Sequence, residues 1–223
     1  MPSIALEDYL KAIYKVAESQ PDGTAGTSAI ADRLRVTRAS VAAMLRKLDE
    51  RGLVTHRPYR GVRLTRQGQR IAVEMIRRHR VIEAFLVQML DMPLEEVDAQ
   101  AEVLEHAFSA DLVDRLWHRL GCPAHDPHGA PIPAPNELPS DERTLLPLPD
   151  LPTGRVAMVA RLAAENVDQL RYLARHGLKP GVLLHREEDG RPDRITLRID
   201  GAGRLHLDRS MAQAVRVQDP GGE

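Results

Sequence analysis

Residues 37–65 read TRASVAAMLRKLDERGLVTHRPYRGVRLT, and this stretch decides how the N-terminal third folds. Thr37 is a capping residue that opens a run in which Val41, Met44, Leu45 and Leu48 recur at helical spacing, and Gly52 supplies the stop. Two short β-type runs follow, Leu53-Val54-Thr55 and Val62-Arg63-Leu64-Thr65. The turn sequence PYRG joins them, so the pattern predicts a β-hairpin. Upstream, SAIADRLR at 28–35 predicts a helix capped by Thr27 or Ser28, with Ile30, Ala31 and Leu34 facing inward. Leu6, Leu10, Ile13 and Ala17 mark an earlier helix that the breaker segment PDGTAGT ends.

Helix, tight turn, helix and hairpin is the winged helix-turn-helix layout. A helix fits the major groove, and a basic hairpin tip reaches the neighbouring backbone. Thr37, Arg38, Ala39 and Ser40 would face base edges and phosphates, and Lys47, beside Arg46, extends the basic face. Arg60, flanked by Arg57 and Arg63, arms the wing. The charge distribution supports this reading. Residues 1–80 hold 16 Lys+Arg against 8 Asp+Glu, residues 81–140 hold 2 against 11, and residues 141–223 hold 13 of each. A basic front before an acidic middle suggests a polyanion-binding domain joined to one that binds cations. A helical module for protein contacts is the other reading, and the order of elements together with the charge favours double-stranded DNA.

The next predicted helix, from about residue 65 to 90, packs through Ile71, Met75, Leu86 and Leu90, yet His79 and Glu83 fall on the same line. An imidazole and a carboxylate on a buried stripe are costly unless they satisfy each other or hold a cation. After Met92-Pro93, residues 95–120 predict one helix packed through Val97, Ala101, Leu104, Phe108 and Leu112. Glu102, Glu105 and His106 converge on one edge of it. A single His–Glu pair reads as structural; two such sets on consecutive helices point to a divalent metal. The loop CPAHDPHG at 122–129 adds Cys122, His125, Asp126 and His128, either as a solvated turn or as further ligands.

Composition excludes several classes. Of 223 residues, 43% are apolar and 28% charged, an ordinary globular balance, whereas 3% aromatics argue against stacked-base platforms and aromatic cages. One cysteine precludes an internal disulfide and suits a reducing compartment. No apolar run reaches the roughly 20 residues of a membrane span, and the first residues lack a signal-peptide core, so a soluble cytoplasmic protein without membrane contact is expected. There is no nucleophile elbow, phosphate-binding glycine loop or HExxH motif, so no enzyme is predicted. Nine of the sixteen prolines lie between Pro123 and Pro152 and read as an extended tether.

Several segments together resemble the diphtheria toxin repressor family of metal-activated transcription regulators, and its manganese-responsive branch in particular. They are EDYLKAIY at 7–14, the helix-turn-helix at 28–50, GLVTHRPYRGVRLTRQG at 52–68, RRHRVIEAFL at 77–86, EVLEHAFS at 102–109 and DPHGAPIP at 126–133. The resemblance implies a mainly α protein with some β. Its parts would be a winged-helix DNA-binding domain (1–75), a helical metal-binding and dimerisation domain (76–140), a proline-rich linker (141–152) and a small five-stranded β-barrel of FeoA-like type (153–223). It implies an activating metal site from Asp8, Glu102, Glu105 and His106. A second site would use His79, Glu83, Asp126 and His128, with Glu165 or Gln169 contributing from the barrel.

Iron-responsive relatives tend to carry methionine and cysteine where this chain has Asp8 and Glu102. Hard oxygen donors suit Mn(II), although Fe(II) accepts such a site too. Two positions depart from relatives: Lys11, where some manganese-type members have a carboxylate, and Asp98, where the iron branch often has histidine. Whether Cys122 or His125 supplies a missing ligand stays open. The implied function is a homodimer that binds a pseudo-palindromic operator when metal is present and represses metal uptake. The alternatives are a winged-helix regulator sensing a non-metal small ligand, with the His/Glu sets as buried hydrogen-bond networks, and a metal-dependent hydrolase.

Overall fold

The computed structural model describes residues 3–18, 20–57, 61–135, 145–164, 166–188, 191 and 193–220. The fold is mixed α/β and divides into two compact units, Met1–Arg78 with Pro133–Pro139, and His79–Ile132 with Ser140–Glu223.

The first unit contains α1 (Ile4–Glu18), α2 (Thr27–Leu34), α3 (Arg38–Glu50), β1 (Val54–Arg57), β2 (Gly61–Leu64) and the start of α4 (Arg66–Leu90). The apolar stripes expected from the periodicity close one core: Leu6, Leu10 and Ile13 meet Ile30, Ala31, Val41, Leu45, Leu48, Val54 and Val62. Thr37 caps α3, its side-chain oxygen accepting from the Ser40 N–H at 3.1 Å. The start of α2 differs from expectation. Its N-cap is Gly26, with no side chain serving, and Thr27 and Ser28 already lie inside the helix. The wing pairs in register from Val54 opposite Leu64 to Arg57 opposite Gly61. Ala25 and Val62 exchange backbone hydrogen bonds of 2.8 and 2.9 Å, which fasten the wing to the strap before α2. Arg60 lies outside the described residues. At the head of α4, the Thr65 hydroxyl accepts from the Gly68 N–H at 3.2 Å. A Cβ at Gly68 would stand 2.0 Å from the Leu53 carbonyl oxygen, so only glycine permits this approach.

The second unit holds the rest of α4, then α5 (Val97–Leu104) and α6 (Ala110–Arg119). Beyond them lie β3 (Leu146–Pro147), a 3-10 turn (Leu148–Asp150), β4 (Val156–Leu162), α7 (Val167–Arg175), β5 (Leu183–Glu187), β6 (Arg194–Ile199), β7 (Gly203–Asp208), α8 (Arg209–Ala212) and β8 (Val215–Gln218). The single helix expected over 95–120 is two helices. Ser109 interrupts it as the N-cap of α6, its hydroxyl accepting from the Leu112 N–H at 3.2 Å. The phase therefore shifts by one residue after the break: Val113 is fully buried, and Leu112 is 40% exposed. Leu90, expected inside, is also exposed.

The C-terminal strands form one antiparallel sheet in the order β3-β8-β4-β5-β6-β7, with β3 and β7 outermost among the described residues. It is not the closed five-stranded barrel anticipated. The second half of the proline-rich stretch is not tether but core, since Leu148 and Pro149 are buried beneath the sheet. Its prolines are tolerated because β3 is an edge strand and Pro149 sits near the start of the 3-10 turn, where a missing N–H costs nothing. Among the described residues no helix is long and apolar enough to cross a membrane.

Candidate metal centre

Within the second unit, α4 and α5 converge through polar side chains. His79 and Glu83, one helical turn apart, are 8% and 2% exposed. The His79 Nε2 lies 3.4 Å from Glu83 Oε1 and 3.3 Å from Asp98 Oδ1, while its Nδ1 lies 2.7 Å from Glu105 Oε2 and 3.8 Å from Glu102 Oε1. His128, from the loop after α6, places Nδ1 3.2 Å from Glu83 Oε1, and its Nε2 lies 3.1 Å from the Leu94 carbonyl. Three overlapping groups of ligand atoms result, each within 4.8 Å: His79 with Glu83 and Asp98, His79 with Glu102 and Glu105, and Glu83 with Asp126 and His128.

The loop that carries His128 is held from three directions. Asp126 Oδ1 accepts from the backbone N–H of His128 and of Ala130, both at 2.9 Å. Its Oδ2 faces the Arg80 guanidinium at 3.6 Å, and Arg80 also donates to the Pro131 carbonyl. From the sheet, the Leu162 N–H donates to the His128 carbonyl at 2.8 Å. Ala160 is the residue skipped where β4 pairs with β8. Its carbonyl lies against Gly129, so close that a Cβ there would come within 2.0 Å of it. The β-bulge thus shapes the seat of the loop.

The electrostatics are those of a buried acid–base cluster. Burial would raise the Glu83 carboxyl, but hydrogen bonds from His128 and His79 outweigh it and hold the group well below the usual carboxylate range. Burial would lower His128, and the same bond to Glu83 overrides it and raises the imidazole above its ordinary value. Asp126 is pushed up by burial and by facing Glu83, against the pull of Arg80. Imidazole nitrogens and carboxylate oxygens without a thiolate match borderline-to-hard divalent cations such as Mn(II) and Fe(II). The donor set therefore fits the ion expected.

The other predicted residues are distributed as follows. Asp8 is half-buried on α1, and Lys11 is buried on the same helix. His106 follows α5, its Nε2 3.7 Å from Glu105 Oε1. Gln169 lies in the first turn of α7, with its backbone N–H capped by Asn166 at 2.9 Å. Glu165 lies outside the described residues. Cys122 and His125 are exposed and, among the described residues, join no group of three ligand atoms. Thr37, Arg38, Ala39, Ser40 and Lys47 are exposed on and before α3, and the Thr37 and Ser40 hydroxyls meet at 2.9 Å. Sequence reasoning set Asp98 apart as a departure and passed over Arg80. The signal for Asp98 was present, four residues before Glu102 on one helix. The partnership of Arg80 with Asp126 spans 46 residues and left no local trace.

Residues 3–62 match the iron dependent repressor N-terminal DNA binding domain, residues 65–134 the iron dependent repressor metal binding and dimerisation domain, and residues 146–219 the FeoA domain. The iron-dependent repressor IdeR of Mycobacterium tuberculosis is 33% identical over 224 residues, covering 95% of this chain and 96% of that protein. The chain belongs to the diphtheria toxin repressor family. Within that family, the HTH-type transcriptional regulator MntR of Oceanobacillus iheyensis is 36% identical over 116 residues, 52% of this chain and 77% of the relative. A solved manganese-dependent transcriptional repressor in complex with manganese superposes with a TM-score of 0.86 at 36% identity, covering 96% of this chain and 99% of that one. Iron-named and manganese-named members of the diphtheria toxin repressor family are thus both similar to this one. The donor set remains the chain's own indication of metal preference.

Proposed function

We propose that this member of the diphtheria toxin repressor family is a metal-activated DNA-binding transcription regulator of metal-ion homeostasis, answering to Mn(II), with Fe(II) as the other ion its donors accept. The observation that carries the reading is the buried set of His79, Glu83 and Glu105, which joins two carboxylates and an imidazole where a hydrophobic stripe would otherwise run. A divalent cation is a natural companion for two carboxylates held this close in a buried place.

The working parts follow from the sequence reading. A winged-helix domain over about residues 1–75 presents Thr37, Arg38, Ala39, Ser40, Lys47 and Arg60 to DNA. A domain over 76–140 binds metal and dimerises, and the C-terminal sheet follows a tether that ends before Leu146. The resemblance assigns Asp8, Glu102, Glu105 and His106 to the activating ion, and His79, Glu83, Asp126 and His128 to a second, with Glu165 and Gln169 as further donors. Asp8 would tie the DNA-binding domain to the ligands of the other domain, shifting the population toward one DNA-competent arrangement. By linkage, DNA tightens metal binding by the same factor. A twofold dimer reads a pseudo-palindrome with half-sites one helical turn or a multiple apart. Its relatives are named repressors, so the expected outcome in the cytoplasm is repression of metal uptake, with no covalent chemistry.

The test is binding to operator-type DNA at fixed salt, because phosphate contacts alone move affinity by orders of magnitude. Titration with Mn(II), with Fe(II) under anaerobic conditions and with a chelator should show tightening by metal only. Equal binding in chelator would leave a DNA-binding protein without a metal switch, as a regulator sensing another small ligand would behave. Asp8→Ala should abolish metal-dependent binding; unchanged metal affinity and DNA binding would refute its role.

A further inference from the structure

Away from the metal ligands, the outer side of α3 carries information of its own. Val41, Leu45 and Leu48 are buried in the core of the first unit, so the opposite side of the helix is the one offered to DNA. Its first two turns hold little that can read a base. The Thr37 hydroxyl accepts from the Ser40 N–H at 3.1 Å and meets the Ser40 hydroxyl at 2.9 Å, so both are largely spent on capping the helix. Ala39 and Ala42 are exposed and Ala43 is half-buried, and each brings a methyl group with no hydrogen-bonding atom. Arg38 stands seven residues before the buried Leu45, at the edge of the packed stripe, where it reaches past the helix start toward a backbone phosphate.

Arg46 differs from these. It is exposed in the line Ala39, Ala42, Arg46, spaced three and four apart on the side turned away from the core. A long helical side chain leans toward the N-terminus and covers the positions three and four before its own. For Arg46 those are Ala43 and Ala42, and no bulk there turns the guanidinium aside. It is carried back toward the end of α3 whose residues contact base edges. Lys47 leans over Met44 and Ala43 and takes the other flank. Both acids of the helix, Asp49 and Glu50, lie in its last turn, behind Arg46.

We propose that Arg46 is the base-reading side chain of α3, and that its fork takes the O6 and N7 of one guanine in each operator half-site. A planar guanidinium matches those two acceptors, and this pairing is the commonest specific contact in the major groove. The methyl groups of Ala39, Ala42 and Ala43 let the helix come close to the base edges, while Arg38 and Lys47 hold the backbone. The inference rests on the DNA-binding reading given above and adds which residue sets the sequence preference.

The experiment uses the full chain with saturating Mn(II) at fixed salt. Selection from randomised duplexes yields the preferred site, and each base pair of one half-site is then replaced in turn in competition assays. Arg46→Ala should weaken binding to the selected site by about 5–150-fold, the worth of one bidentate base contact. It should also erase discrimination at a single guanine per half-site and leave the other positions as they were. Placing 7-deazaguanine there removes N7, which should weaken the native chain and leave Arg46→Ala unaffected. Arg46→Lys keeps the charge without the fork, so it should preserve the salt slope and lose most of the guanine preference. The unfolding midpoint of both variants should stay at the native value, which separates a lost contact from a damaged domain. A uniform loss over all sequences with a lower salt slope would place Arg46 on a phosphate and overturn the proposal. A selected half-site without a guanine would overturn it too, as would equal sensitivity of native chain and Arg46→Ala to 7-deazaguanine. A selection that enriches no sequence at all would overturn the DNA-binding reading itself, and this inference with it.

Discussion

Gly129→Ala tests whether the sheet positions the metal loop. Gly129 has φ +89°, and a Cβ there would lie 2.0 Å from the Ala160 carbonyl oxygen and 3.0 Å from Arg161 Cα. Real Cβ atoms essentially never approach closer than 3.0 Å, so loop or strand must retreat by about 1 Å. The strand is poorly placed to move, because β4 is paired on both sides, by β5 and β8. Two costs therefore combine. A non-glycine residue in this backbone region costs about 1–3 kcal/mol, and overpacking against backbone costs about 1–3 kcal/mol more. The metal-free second unit should lose about 2–6 kcal/mol in urea unfolding, from a typical total of about 5–15 kcal/mol. If the loop gives way first, His128 moves off Glu83 and Mn(II) affinity falls while stability falls less. Gly121→Ala is the control: Gly121 has φ +80° with nothing within 4 Å, so it carries the backbone cost alone. Identical losses in the two variants, or unchanged Mn(II) affinity and stability in Gly129→Ala, would refute the seat described for the loop.

Other perturbations separate the remaining contacts. Arg80→Met leaves the Asp126 carboxylate buried without its cation, a loss of about 3–5 kcal/mol by denaturation. Adding Asp126→Asn should return part of it, and strict additivity would show that the two do not interact. Thr37→Ala removes the cap of α3 at a cost of about 1 kcal/mol, to be read as a lower unfolding midpoint and weaker operator binding. Thr37→Asn should restore the midpoint. Lys47→Ala should weaken binding across sequences alike and lower the salt slope by about one; a loss confined to one operator position would put Lys47 at a base instead. The pH dependence has opposite signs for two groups. Glu83 is depressed, so its contribution to metal-free stability is present above the ordinary carboxylate range and is lost as pH falls through its folded value. His128 is raised, so its contribution is full below about pH 6.5 and is lost as pH rises through its folded value. A metal ligand must be deprotonated, so Mn(II) affinity should climb across that upper window while metal-free stability declines. A flat affinity profile there would remove His128 from the site.

What could be read in advance depended on how far apart the partners lie in the chain. Three helices, the Thr37 cap and the hairpin of the first unit follow from spacings of three, four and two residues. Those periods are properties of the local backbone, and each stripe finds its core whatever the rest does. The pairing of His79 with Glu83 was legible for the same reason, since i and i+4 share a helix face. The misplaced elements failed where a local signal competed with a tertiary one. Residues 95–120 keep a helical apolar period, but Ser109 offers a cap, and the chain takes the break. The leucines of the proline-rich stretch reach the core beneath the sheet in spite of their prolines.

Sequence by itself determined the winged helix, the family, and a stock of imidazoles and carboxylates at helical spacing. Only the tertiary structure decided which of them meet. His79 finds Glu105 across 26 residues and Arg80 finds Asp126 across 46, while Gly129 finds Ala160 through a bulge in β4. It also decided that the C-terminal strands lie in an open sheet with β3 and β7 as edges. Such meetings depend on packing between elements distant in the chain, and no residue-to-residue period encodes them.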